Sequence, residues 1–363
     1  MEGCFSWIKT KYGLNANSSM SEVNAAFRDW NMGALVLISV LILPGMLGNS
    51  LVMAIFYRDF KKSAYRTFVL WLAALDLAGC MIVMPYLMVN IITPVTMDNE
   101  IVCKLGRFLS YVIMMTSHFI LVVIAADRYR KICKPHSLQI PQSQTSRYCL
   151  GMLTLSIVVS IPAPILYGNS TLDIGIPGLK ATRCFTADEY MDTPAHLIYY
   201  GVINALGGTI TVIITALYVQ VIRRIRYQFR EKEHEIARNI RRNAKLSENG
   251  NACEVKINRK LVRTTVTLLA VTVVFVITIF PHTVLALVDY SVRTFYCRLS
   301  FSDGVMFNIA MHFFLPNNVL NSVIYGFTDK RFKKRFLLLF RRQQFNVNGD
   351  YGESSDAISS DRL

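Results

Sequence analysis

Seven stretches of the chain, each long enough to cross a lipid bilayer as a helix, carry almost no charged residue. They are Asn31–Tyr57, Thr67–Met97, Phe108–Ala126, Tyr148–Leu172, Thr193–Ile222, Thr264–Val288 and Gly304–Thr328. Asp76 is the one Asp, Glu, Lys or Arg that falls within them. A membrane helix needs about 20 apolar residues because the hydrocarbon core is roughly 30 Å thick, whereas β-barrel strands are about 10 residues long and alternate in polarity. The sequence therefore predicts an all-α fold, a seven-transmembrane helix bundle.

The composition agrees with a membrane protein. Charged residues make up 17% of the chain and hydrophobic residues 53%, whereas a soluble globular protein is roughly 25% charged. A large soluble protein with seven buried helices is therefore disfavoured. The sequence has no nucleophile–base set and no Cys or His spacing typical of a metal site, so neither an enzyme nor a metal centre is expected.

Basic residues lie almost entirely on one side of the predicted bundle. Of the 39 Lys and Arg, 30 fall in the connections after the first, third and fifth stretches and in the C-terminal tail. Basic residues are retained in the cytoplasm, so the N-terminus is expected outside and the tail inside the plasma membrane. The same bias accounts for the net charge of +15, which is therefore not taken as a sign of nucleic-acid binding.

The chain divides into four regions on these criteria. After the last stretch, aromatic and Leu side chains alternate with Lys and Arg, which predicts an amphipathic helix on the inner leaflet, in contact with membrane lipid. Asn17 lies in a glycosylation sequon on the expected outer side. The regions are an extracellular N-terminus (1–30), the transmembrane domain (31–328), the amphipathic eighth helix (329–342) and a disordered cytoplasmic tail (343–363).

Four of the eight cysteines fall on the expected outer side, where disulfides persist. These four allow three connectivities. A bridge between Cys103 and Cys184 would pin the long second outer loop over the mouth of the bundle. Cys4 and Cys297 would then remain, and their bridge would tie the N-terminus to the last outer loop.

Asp76 needs a polar environment, because a carboxylate in mid-bilayer is costly unless it faces the bundle interior or water. Several polar residues inside the stretches could converge on it: Asn49, Ser117, Asn317, Asn318 and Asn321. Such a set suits a hydrated monovalent cation, and it equally suits a plain network of hydrogen bonds between helices. A proton relay would need a second titratable partner, for which His118, His282 and His312 are the candidates.

Asp127, Arg128 and Tyr129 close the third stretch at the expected cytoplasmic face. An acid beside an Arg at a membrane boundary is ordinarily a solvated pair. It could also act as a latch, in which Asp127 holds Arg128 until a partner competes for the guanidinium.

Residues 30–342 carry an ordered set of motifs: Gly48-Asn49, Leu72-Ala73-Ala74-Leu75-Asp76, Cys103 placed 25 residues before Arg128, Asp127-Arg128-Tyr129, Phe275 with Pro281, and Asn321-Ser322-Val323-Ile324-Tyr325 followed by Phe332. Together these motifs resemble those of the rhodopsin-like (class A) G-protein-coupled receptors, and the stretch Asp127–Pro135 is similar to that of the peptide receptors among them.

The resemblance implies a role for several residues. Asp76, Ser117, Asn317 and Asn321 would form a sodium pocket, the only cofactor expected. A cytoplasmic microswitch for G-protein coupling would comprise Asp127, Arg128, Tyr129, Tyr218, Asn321 and Tyr325. Cys103–Cys184 would be the outer disulfide of the family. The tail serines would suit a receptor kinase and arrestin.

Several positions depart from the family pattern, and three of them bear on activation. Ile279 replaces the usual Trp of the sixth stretch, Ser322 replaces the usual Pro of the last motif, and Leu261 stands where some relatives place an acid that locks Arg128. Activation by an atypical route, or high basal activity, is therefore a hypothesis.

The ligand is best interpreted as a neuropeptide-like peptide. Ser110 stands where amine receptors carry an Asp, and Leu315 where opsins carry a Lys, so both classes are disfavoured. Acidic residues of the second outer loop, with Asp289, would steer a basic peptide, although ordinary loop solvation explains them as well. The candidate pocket residues are Ser110, Tyr111, Met114, His282 and Asp289.

Three classes of function remain in competition. The first is a receptor that activates a heterotrimeric G protein by conformational change. The second is an atypical or arrestin-only receptor. The third is a membrane transporter, which is disfavoured because no internal repeat is evident.

Overall fold

The computed structural model describes residues 6–243, 259–291, 295 and 299–338. Its main helices follow the predicted stretches: Met32–Asp59, Ala64–Ile92, Glu100–Cys133, Gln142–Ser160 continued by Ala163–Leu166, Ala195–Asn243, Arg259–Ser291, and the pair Phe301–Met311 and Asn317–Thr328. We call these seven units the first to seventh spans. Within the described ranges, six are long and apolar enough to cross a membrane. The all-α bundle is therefore confirmed.

The seventh span differs from the others because it is interrupted. Its two helices of 11 and 12 residues are joined by a turn at 312–316, which precedes Asn317. Pro316 is the N-terminal cap of the second helix, where the missing backbone N–H costs no helical hydrogen bond. The interruption places backbone carbonyls and Asn side chains inside the bundle.

The second span contains a π-helical turn at Gly79–Val83, between the α-helices Ala64–Ala78 and Met84–Ile92. A Cβ at Gly79 would lie 2.6 Å from Nδ2 of Asn318. Only glycine therefore allows the second and seventh spans to approach this closely. The π-helical turn begins three residues after Asp76, and such turns often mark functional sites.

The N-terminus is folded, although its sequence was predicted only as an extracellular segment. Helices Ser6–Tyr12 and Met20–Trp30 form what we call the N-terminal cap. The second helix begins with a capping box, in which Ser19 and the Glu22 side chain satisfy each other's backbone N–H groups. Its apolar face is buried with side chains of the loops and of the seventh span: Ile8, Val23, Ala26, Phe27, Trp30, Val95, Ile174, Ile176, Ala181, Phe301 and Val305.

A β-hairpin covers the same end of the bundle. Strands β1 (Tyr167–Leu172) and β2 (Ala181–Thr186) pair antiparallel. Cys103 and Cys184 form a disulfide with Cα atoms 5.4 Å apart, which fastens β2 to the third span. The predicted bridge is thereby confirmed, whereas Cys4 and Cys297 lie outside the described residues. We call this the hairpin end of the bundle and the opposite one the Arg128 end.

A short helix at 330–338 follows the seventh span at the Arg128 end. Asp329 starts it by accepting hydrogen bonds from the backbone N–H groups of Arg331 (2.9 Å) and Phe332 (3.3 Å). The Tyr65 hydroxyl donates to the other oxygen of Asp329 at 3.2 Å. Phe332 packs on Phe56 of the first span. The predicted residues 339–342 of this helix, and the tail, lie outside the described residues.

Candidate functional site

Aromatic side chains line the bundle beneath the β-hairpin. Tyr111 of the third span and Tyr167 of β1 share a hydrogen bond of 2.9 Å between their hydroxyls, and Tyr111 also contacts the ring of Tyr199. Tyr111, one of the predicted pocket residues, therefore belongs to an aromatic cluster beneath the hairpin. Ser110 instead donates its hydroxyl to the Gly106 carbonyl of its own helix at 2.7 Å.

The sequence analysis missed Arg107, one turn above Tyr111. Its guanidinium lies 4.9 Å from the centre of the Tyr167 ring. Among the described residues it makes no ion pair, and its Nε is buried without a hydrogen-bond partner. In the sequence, Arg107 stands directly before the third stretch, between Cys103 and Ser110, where a basic residue is expected as a flank of a membrane helix.

His196, at the start of the fifth span, completes this aromatic site. Its ring packs edge-on against Tyr167 and Phe185 and stacks with Tyr200. Arg107 is close enough to His196 to act on it electrostatically. The site therefore combines a permanent cation, an imidazole and several phenol hydroxyls.

The acidic residues of the second outer loop are partly used by the loop itself. Asp188 accepts hydrogen bonds from the Thr171 hydroxyl (2.7 Å) and backbone N–H (2.9 Å), and these bonds lower the pKa of its carboxyl. Asp173 accepts from the Gly175 N–H at 2.7 Å and stabilises the turn. These two acids therefore hold the loop in shape. The side chain of Asp289 lies outside the described residues.

The other predicted pocket residues are Met114 and His282. The Met114 carbonyl accepts from Nδ1 of His118 at 2.7 Å, and Nδ1 of His282 donates to the Met311 carbonyl at 2.8 Å. His312 donates similarly to the Asn308 carbonyl at 2.7 Å. Each imidazole is therefore fixed by a backbone carbonyl, and His282 joins the sixth span to the interruption of the seventh.

Asp76 is buried in the middle of the bundle and accepts a 2.8 Å hydrogen bond from Nδ2 of Asn321. Asn49 donates to the carbonyls of Gly45 (2.9 Å) and Asn318 (2.6 Å). The side-chain oxygens of Asn49, Asn317 and Asn321 are buried and have no partner in the described chain.

Ser117 donates to the Ile113 carbonyl of its own helix at 3.1 Å. The structure therefore brings Asn321 to Asp76, and it shows no bond between Ser117 and Asp76. Among the described residues, no group of three or more His, Cys, Asp and Glu could hold a metal ion.

Arg128 is buried at the opposite end, between the third and sixth spans. It pairs with Asp127, and its Nη1 donates to the Thr264 hydroxyl at 3.4 Å. Lys131 also pairs with Asp127, at 2.8 Å. The carboxylate is therefore shared by two cations, and the contact between Arg128 and the sixth span is with a neutral hydroxyl. The backbone carbonyl of Leu261 accepts from the hydroxyls of Thr264 at 3.0 Å and Thr265 at 2.8 Å.

Two tyrosines predicted for the microswitch lie in the same core. Tyr218 and Tyr325 are buried in one apolar cluster, and the hydroxyl of Tyr325 has no hydrogen-bond partner among the described residues. Tyr129 is only partly buried against this cluster. Ser322 donates to the Val319 carbonyl and lies against Gly48, where a Cβ would overlap its hydroxyl. A small residue at 322 therefore allows the first and seventh spans to pack closely.

The comparisons with known proteins agree with this architecture. The model of the seven-transmembrane receptor (rhodopsin) family matches residues 48–325. The chain belongs to this family, and it is therefore a multi-pass receptor of the plasma membrane rather than an enzyme.

Its relatives include neuropeptide S receptors and a cholecystokinin receptor. The neuropeptide S receptor of Rattus norvegicus is 28% identical over 55% of this chain and 52% of its own length. The one from Macaca mulatta is 26% identical over 51% of both chains. The cholecystokinin receptor type A of Canis lupus familiaris is 31% identical over 40% of this chain and 34% of its own. The chain spans about half the length of the first of these relatives.

Proposed function

We propose that the chain is a receptor for an extracellular peptide and that its Arg128 end activates a heterotrimeric G protein. The observation that carries the proposal is the burial of Arg128 between Asp127 and Thr264. A buried guanidinium held by a shared carboxylate and a neutral hydroxyl can be released when the sixth span moves away. The ligand would act by stabilising this open state, and the G protein would bind it.

The orientation follows from charge and from the disulfide. Most Lys and Arg lie in the connections at the Arg128 end, which supports a cytoplasmic position. The Cys103–Cys184 bridge at the hairpin end suits the oxidising exterior. The N-terminal cap with Asn17, a glycosylation candidate, would then face outward, and the helix at 330–338 would lie on the lipid of the inner leaflet.

A peptide ligand is supported by the relatives and by the shape of the hairpin end. The neuropeptide S and cholecystokinin receptors are named after peptides. The predicted pocket residues Tyr111 and His282, together with Ser110 and Met114, lie on spans beneath the hairpin. Asp289 remains a candidate at the rim.

Replacing Arg128 with Ala is expected to abolish coupling. The variant removes the buried guanidinium that joins Asp127 of the third span to Thr264 of the sixth. The measurement is dissociation of a panel of Gα subunits in cells, with and without a peptide library. Arg130→Ala is the matched control, because Arg130 lies two residues away and is exposed.

A G-protein signal that persists in Arg128→Ala at equal surface expression would contradict the proposal. Arrestin recruitment without Gα dissociation would favour the atypical receptor instead, for which Ile279 and Ser322 are the motivation. Phosphorylation of the tail by a receptor kinase would be measured together with arrestin recruitment. Ligand-dependent transport of solute would favour a transporter.

The Asp76 site fits a sodium ion. The buried and unpartnered side-chain oxygens of Asn317 and Asn321 are neutral ligands of the kind that a hard cation prefers, and Asp76 supplies the negative charge. Bound sodium would neutralise this carboxylate. Ser117 would become a sodium ligand only if its hydroxyl gave up its hydrogen bond to the Ile113 carbonyl.

Sodium is expected to raise the unfolding temperature of the purified receptor, and Asp76→Asn is expected to remove this response. Saturating a site that only the folded state possesses contributes about 1–2 kcal/mol at a tenfold excess over Kd. Thermal unfolding in sodium chloride and in choline chloride at equal ionic strength measures the effect. Asp59→Asn is the control, since Asp59 is a partly exposed acid at the end of the first span. Equal sodium responses of the wild type and Asp76→Asn would refute the site.

A further inference from the structure

The site beneath the hairpin carries positive charge that no described carboxylate balances. Arg107 lies on the third span in a ring of tyrosines, and its neighbours Tyr86, Tyr111, Tyr167 and Tyr200 present phenol groups rather than carboxylates. Among the residues whose side chains the structure describes, no carboxylate pairs with it. The Nε of Arg107 is buried without a hydrogen-bond partner, which is costly for a cation, and the free energy of the guanidinium improves when a ligand supplies an anion.

The other titratable groups that face Arg107 are bases. Arg107 acts electrostatically on His196 of the fifth span and on His312 in the interruption of the seventh. His312 in turn interacts with His282 of the sixth span. The groups within electrostatic range of Arg107 therefore include two imidazoles and no described carboxylate.

The acids of the hairpin do not neutralise this region. Asp188 is engaged by Thr171 and Asp173 by the Gly175 N–H, both in the loop. Glu100 pairs with Lys104 at 2.5 Å near the top of the third span. The acidic rim predicted from the sequence therefore surrounds an interior whose described charge has the opposite sign.

We propose that Arg107 binds a carboxylate of the activating peptide, with His196 as the neighbouring hydrogen-bond donor. This inference rests on the proposed peptide-receptor function and names the chemistry of the ligand. The guanidinium presents two parallel N–H groups that match the two carboxylate oxygens. The rings of Tyr167 and Phe185 pack against Arg107 and His196 respectively and hold them in place. The carboxylate could belong to the C-terminus of the peptide or to an Asp or Glu side chain.

The test is a binding measurement that needs no G protein. The full chain, purified in lipid nanodiscs, is immobilised and exposed to a synthetic peptide library made in matched forms. One arm compares free C-terminal acids with C-terminal amides, and the other replaces every Asp and Glu with Asn and Gln. We expect carboxylate-bearing peptides of one arm to bind the wild type about 30-fold or more tightly than they bind Arg107→Gln. Truncating one partner of a buried charge pair strongly raises the dissociation rate.

Two further variants separate recognition from folding and from general electrostatics. Arg107→Lys keeps the charge and loses the bidentate geometry. It should therefore bind the same peptides with an affinity between those of the wild type and Arg107→Gln. Lys104→Gln removes an equal charge from the same helix three residues away and should bind like the wild type. The unfolding temperature of each variant establishes that it is folded.

The two arms also distinguish the source of the carboxylate. Loss on amidation alone identifies the C-terminus, and loss on the Asn and Gln replacement alone identifies a side chain. The proposal is overturned if the wild type retains no carboxylate-bearing peptide, or if Arg107→Gln retains the same peptides equally well. Binding with the expected selectivity but without Gα dissociation would uphold it and would contradict the G-protein function alone.

Discussion

Replacing Cys103 with Ser is expected to detach the β-hairpin and to remove most of the receptor from the cell surface. The disulfide joins residues 81 positions apart and is the covalent link between β2 and the third span. Removing a native disulfide costs roughly 2–5 kcal/mol. The loss would extend to the N-terminal cap, because Ile174, Ile176 and Ala181 of the hairpin region form part of its apolar cluster.

Surface expression and the unfolding temperature in detergent measure this loss. Cys133→Ser is the control, because Cys133 is a free, partly exposed cysteine at the Arg128 end. Reducing agent should lower the unfolding temperature of the wild type and of Cys133→Ser, and leave that of Cys103→Ser unchanged. A wild type that is indifferent to reduction would contradict the role given to the disulfide.

Replacing Gly304 with Ala is expected to displace the N-terminal cap. A Cβ at this position would overlap the indole ring of Trp30, which is fully buried between the cap and the seventh span. Overpacking of this kind costs about 1–3 kcal/mol, and the rigid indole ring can relieve the overlap only by shifting as a whole. Trp30 would leave its site, and the contact between its carbonyl and Asn308 (3.4 Å) would be lost with it.

The displacement can be followed by tryptic cleavage within the cap and by tryptophan fluorescence. Lys9, Lys11 and Arg28 are cleavage sites whose backbone is helical while the cap is docked. Gly208→Ala is the matched control, since a Cβ at Gly208 meets nothing within 4 Å. Cleavage of Gly304→Ala at the rate of the wild type would show that the cap is not held by Trp30.

The spans could be predicted because the bilayer imposes a strong rule on sequence. A helix that crosses lipid must be apolar over its whole length, so the absence of charge marks it without tertiary information. The interruption at 312–316 could not be read in this way, because no charge interrupts the seventh stretch. The cap was missed for the opposite reason: its apolar positions at Val23, Ala26, Phe27 and Trp30 are too few to outweigh the surrounding polar residues.

The candidate site, like the fold, could be predicted only in part, because some of its residues are informative by themselves and others depend on tertiary packing. Asp76 and Arg128 were found because a charge in or beside a membrane helix is rare and therefore informative. Arg107 was missed, because it stands at the edge of its stretch, where a cation is ordinary. Only the packing of Tyr167 and His196, from distant parts of the chain, shows that Arg107 faces inward. Thr264 as the neighbour of Arg128 likewise depends on how the sixth span approaches the third.

If a peptide enters at the hairpin end, as proposed, the docked cap would also limit how fast it can arrive. It lies across the hairpin end, with Lys9 donating to the Gly175 carbonyl (3.0 Å) and Lys11 over the ring of Phe301. A peptide that enters past these contacts must wait until they open, so its association rate rises with concentration only until it reaches the opening rate of the cap. Ligands of very different affinity would then share one maximal rate of arrival and differ in the time they remain bound.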